Sequence, residues 1–161
     1  MARYRRFDLR NREDSEQITS VRLRRAGLKS ALSGLEIALA APAPGRVDEW
    51  ARGVREALAV LQEVWTRHVV ETEAPGAFLD EILAESPRLA NQVANLRREH
   101  GEILSTLLKV EHQLGRTDLD EDWAEEVRVE LTGLLCALAR HRQRGADLVY
   151  EAYDVDIGGS S

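Results

Sequence analysis

Three histidines stand where hydrocarbon is expected. His141 continues the helical spacing of Val127, Leu131, Leu134 and Leu138, and His68 continues that of Val54, Leu58, Leu61 and Trp65; His100 falls between Val93 and Leu96 on one side and Ile103 and Leu107 on the other. Arg25 takes the equivalent place on a fourth segment, between Val21 and Leu28. A single histidine on such a stripe is most simply a hydrogen-bonded core residue. Three of them on different helices and at similar depth suit a shared site. Neutral imidazoles from facing helices can ligate iron or zinc, with the second ring nitrogen anchored by an acceptor. Arg25 cannot give up its proton and cannot ligate a metal. It therefore joins an internal polar network with the histidines and with Glu71, Glu99 or Asp147, or it reaches out to solvent from the bundle edge.

The elements that would position these residues are helical throughout. Apolar residues recur at alternating steps of three and four in segment A (Ile18, Val21, Leu28, Leu32, Leu35, Leu39), in segment B (Val54 to Trp65), in segment C (Leu89 to Leu114) and in segment D (Val127 to Leu138). No β-branched stretch of period two is present. Proline occurs only in "APAPG", beside Gly76 and in "ESPRL", so the chain is interrupted at few places. The Asp residues of "GRVDEW" and "GRTDLDEDW" offer acceptors to the free N–H groups where B and D begin. The longer B-to-C link keeps Phe78, Leu79, Ile82 and Leu83 at helical spacing and reads as a broken extension of B. Short connections make A and B, and C and D, antiparallel neighbours. The fold expected is all-α, an antiparallel up-down-up-down four-helix bundle over residues 14–153, with a basic arm at 1–13 and a tail at 154–161.

The two halves also share a register. Trp50, Val54, Leu58, Leu61, Trp65 and His68 match Trp123, Val127, Leu131, Leu134, Leu138 and His141 at a constant shift of 73, and the A and C stripes match at a shift of 75, which sets Arg25 opposite His100. Bundle stripes always align; polar residues at the same rung do not follow from that. Counted from the hairpins, Arg25 and His100 differ in height from His68 and His141 by roughly 8 Å, a gap that leaning side chains can close.

At 161 residues the chain can bury a core without a staple, so any metal would serve function rather than folding. One cysteine, Cys136, has no partner for a disulfide. No cleavable apolar leader or membrane-length run is evident, and the sequence reads as a soluble cytoplasmic protein. Its Arg, Ala and Leu usage suggests a GC-rich bacterial source. A net charge of −6 argues against a general nucleic-acid binder, despite the arginines of "MARYRRFDLRNR". His112 lies off its stripe and reads as a surface residue. Trp50, Trp65 and Trp123 read as core packing, and Gly145 leaves room beside His141.

At "TRHVVETEAPGAFLDEIL", "LRREHGEILSTL" and "LARHRQRGADLVYEAY" the chain resembles the hemerythrin-like, or HHE cation-binding, family, with His68, His100 and His141 as the leading histidines of three helix motifs. The resemblance spans residues 18 to 153. It implies a four-helix bundle and a non-haem iron centre used in dioxygen binding or in iron or redox sensing. The positions of that family's further ligands are occupied by Thr72, Leu104, Ala146 and Arg25. What the resemblance implies here is therefore not an intact di-iron centre. It is one iron or zinc ion held by His68, His100 and His141 and completed by Glu71 or water, in a sensor or regulatory domain. The competing reading is a metal-free helical interaction module, monomeric or homodimeric, whose His/Arg core is structural and whose outer faces meet a protein partner. Catalysis by a three-histidine metal with an open position is the weaker third option, since nothing identifies a substrate.

Overall fold

The computed structural model describes residues 22–154, residue 24 excepted. The basic arm, the C-terminal tail and the stripe residues Ile18 and Val21 lie outside them. The described residues hold four long helices and no strand: α1 (residues 22–40), α2 (Val47–Glu73), α4 (Ala90–Leu114) and α5 (Glu121–Asp154). A short α3 (Phe78–Glu85) and one 3-10 turn (Pro87–Leu89) fill the link between α2 and α4. None of these helices is long and apolar enough to cross a membrane.

Among the described residues, each long helix buries the apolar stripe its spacing predicts. Leu28, Leu32, Leu35 and Leu39 of α1 meet Trp50, Val54, Leu58, Leu61 and Trp65 of α2, Ile103 to Leu114 of α4, and Trp123 to Leu138 of α5 in one hydrophobic cluster. A second cluster joins Leu79 and Ile82 of α3 to Leu89, Val93 and Leu96 and to Leu148 of α5. Positions 55, 62 and 73 of α2 meet 114, 111 and 100 of α4, so numbering climbs in one helix as it falls in the other. The shift of 73 has a physical counterpart: Trp50 packs edge-on against Trp123 at 6.2 Å, and further along the same two helices His68 meets His141.

The links follow from local chemistry. After Glu73 the chain turns through Pro75 and Gly76, whose φ of +73° is a conformation that glycine adopts without strain. Asp80 accepts from the Gly76 N–H at 2.9 Å and from Arg97 at 2.6 Å, which pins α3 against α4 and holds the Asp80 carboxyl below its ordinary pKa. Of the two expected Asp caps, one is present: Asp120 Oδ1 accepts the Trp123 N–H at 2.7 Å at the start of α5. The start of α2 has no side-chain cap, and Asp48 sits inside its first turn, where its charge still suits the positive helix end.

Candidate metal centre

Between the two hydrophobic clusters lies a polar layer. Within α4 it falls between Leu96 and Ile103, and within α5 between Leu138 and Leu148; its buried members are Glu99, His100 and His141. His68, half-buried near the end of α2, completes it. The three rings present ligating nitrogens that all lie within 4.8 Å of one another. His141 Nε2 stands 3.2 Å from His100 Nε2 and 3.4 Å from His68 Nε2. The 8 Å offset expected from counting residues does not keep the ring nitrogens apart.

Both buried rings are held from behind by carboxylates. His141 Nδ1 donates to Glu99 Oε2 at 2.9 Å, and His100 Nδ1 donates to Glu73 Oε1. Glu99 is gripped in turn by the Arg144 guanidinium, one helical turn beyond His141. Trp65, with no exposed surface, roofs the layer: its ring stacks on His68 at 5.1 Å and meets His141 edge-on at 5.1 Å and His100 edge-on at 5.5 Å.

These contacts fix the tautomers. A carboxylate at Nδ1 requires the proton there, so neutral His100 and His141 carry bare lone pairs on Nε2. Two such acceptors at 3.2 Å repel unless a cation lies between them. A proton is poorly suited to that role. Burial pushes the His100 pKa below its ordinary value even against the opposing pull of Glu73, and burial together with the nearby His100 drives His141 down to about 4. A divalent metal suits it well. Three nitrogens at zinc-ligand distance around one tetrahedral ion would be about 3.3 Å apart, and the two closest separations here are 3.2 and 3.4 Å.

No family model, curated protein or solved structure matches this chain. The site must therefore be read from its own chemistry.

Of the residues singled out in the sequence, His68, His100 and His141 converge. Arg25 does not: its side chain is exposed on α1, where Leu28 is the first buried residue among those described. Residues 22, 23, 25 and 26 all face solvent, and a guanidinium at the edge of such a stripe stays hydrated rather than losing its water. Glu71 is half-buried and does not join the nitrogen cluster. Thr72 donates its hydroxyl to the His68 carbonyl at 2.8 Å, so it is occupied by the helix backbone. Asp147 is exposed and accepts from Gln143, outside the layer. His112 is exposed, as its position off the stripe implies, and a Cβ at Gly145 would meet nothing within 4 Å, consistent with the space read beside His141.

Two participants were not assigned their roles from sequence. Glu99 was one of three candidates for the polar network, and its place next to His100 was the available signal. Glu73 had none beyond lying one position past Thr72, because its reach to α4 depends on where α2 ends.

Proposed function

We propose that this protein is a metal-binding four-helix bundle of the hemerythrin-like kind, antiparallel in its helix order, that holds a single zinc or iron(II) ion on His68, His100 and His141. One observation carries the reading: two buried imidazoles whose Nδ1 atoms are claimed by carboxylates bring their Nε2 lone pairs to 3.2 Å, with a third ring 3.4 Å away. Such a trio supplies neutral nitrogen donors with anchored second nitrogens, the arrangement that borderline divalent ions favour. Three protein donors leave a coordination position for an exogenous ligand. That position is what a sensor or regulatory domain would use, and a metal held there could polarise water or a small molecule.

The chain's own residues do three things in this reading. Glu73 and Glu99 orient the rings, Trp65 excludes water from one side, and the two hydrophobic clusters keep the layer at fixed height. The test is elemental analysis of untagged protein, stripped with a chelator and reloaded with zinc or iron(II) one at a time. One ion per chain in the wild type, lost in His100→Ala, supports the reading. Protein that refuses both ions yet loses stability when His141 is changed would overturn it in favour of a structural polar core.

A further inference from the structure

The two carboxylates behind the rings are not equivalent. Glu73 is 30% exposed at its side chain, and its ion-pair partner among the described residues is His100 alone. Glu99 is buried, and the charge it presents to His141 is shared with Arg144. Arg144 itself is 55% exposed and stands on the rim of a groove of about 440 Å³ between α4 and α5. That groove is internally balanced, its lining setting Arg98, Arg140 and Arg144 against Glu99, Glu102 and Glu130, so it offers an external ion little net attraction. What it does is keep one guanidinium at the surface while its other side reaches a buried carboxylate.

A ligating imidazole becomes a stronger donor as the acceptor on its other nitrogen becomes more negative. Glu99 alone would draw the Nδ1 proton of His141 strongly. Glu99 clasped by a guanidinium draws it less. We infer that Arg144 is a positioning residue that sets the donor strength of His141 through Glu99, holding the metal less tightly than an unclasped Glu99 behind the same ring would. This rests on the metal-binding reading above and names the control over that same site. The ion would then be exchangeable, as a sensor requires, rather than locked in.

Cobalt(II) serves as the probe, since its visible spectrum reports both occupancy and ligand field. Affinity is measured by competition with a chelator of known strength, in buffer at constant ionic strength. Arg144→Gln removes the charge and keeps a polar side chain; it should bind cobalt about tenfold more tightly, with a shifted visible band. Arg144→Lys restores the charge without the planar fork and should bind as the wild type does. Glu99→Gln should weaken binding by about 10- to 100-fold. In the Glu99→Gln background, Arg144→Gln should change affinity by less than about twofold, because the two residues act as one unit. Unchanged or weaker binding in Arg144→Gln alone overturns the inference, as does weakened binding in Arg144→Lys, which would mark mere alignment. A wild type that takes up no cobalt overturns this inference together with the reading beneath it, whereas a wild type that binds and is indifferent to Arg144 overturns this inference alone.

Discussion

Acid should unfold the metal-free protein through His141. The ring titrates near 6.5 in an unfolded chain and is held down to about 4 in the folded one, by burial first and by the like charge of His100 second. Below pH 6.5 the unfolded state therefore binds a proton that the folded state refuses. The stability this residue contributes is complete above the unfolded pKa and is lost progressively as pH falls toward the folded value. Between pH 7.5 and 4.5 the difference amounts to about 2–3 kcal/mol, at 1.36 kcal/mol for each unit of separation. The assay is urea denaturation of chelator-treated protein at both pH values, with His141→Asn as reference. Asparagine keeps an N–H for Glu99 but does not titrate. With an m-value of about 2 kcal/mol/M, the wild-type midpoint should drop by roughly 1 M more than that of the variant. His100 is present in both proteins, so the comparison reads the His141 ring together with its coupling to His100. Equal losses in the two proteins would refute the argument that His141 is kept neutral at a cost to the protonated form.

Other consequences are simpler to test. Cobalt should quench tryptophan fluorescence mainly through Trp65, whose ring lies 5.1 Å from His68 and from His141; Trp50 is about 27 Å along α2 from His68. Trp65→Phe should abolish most of the quench. Arg128 donates to the Leu39 carbonyl at the end of α1 and to that of Ala41, and lies 5.2 Å from the centre of the Trp50 ring. Arg128→Met should cost about 2 kcal/mol in thermal or urea unfolding at neutral pH, without altering metal affinity. Leu138→Ala, a fully buried truncation one turn before His141, should cost about 2–5 kcal/mol by the same measurements. Zinc at one hundred times its Kd should return about 2.7 kcal/mol to a destabilised variant that retains all three histidines.

The helical segments and their buried faces were legible because burial in a bundle imposes a period that the apolar residues must obey. Val127, Leu131, Leu134, Leu138 and His141 are all buried, as their spacing implies. The histidine cluster was legible for the same reason: a ring on that stripe has nowhere to go but inward. Arg25 shows the limit of this logic. The shift of 75 aligns it with His100, but a stripe says which way a residue faces and not how deeply it is buried, and Arg25 is exposed where Leu28, one turn on, is buried. The carboxylates were harder still. Glu73 and Glu99 are placed by helix ends and side-chain reach, and charged residues one position off a stripe look like ordinary surface in a chain this rich in them. Arg144, on the same footing, showed nothing of its grip on Glu99.

The polar layer also decides how the helices can lie against one another. Seams made only of leucine and valine allow a helix to slide a full turn and meet equivalent partners. Moving α5 by one turn along α4 would bring Leu138 or Gly145 to the place of His141 and leave the Glu99 carboxylate buried against hydrocarbon or empty space. The misaligned packing is thereby penalised, whether or not an ion is bound, and the same few side chains that offer nitrogen to a metal act as the index mark that tells this bundle where to stop.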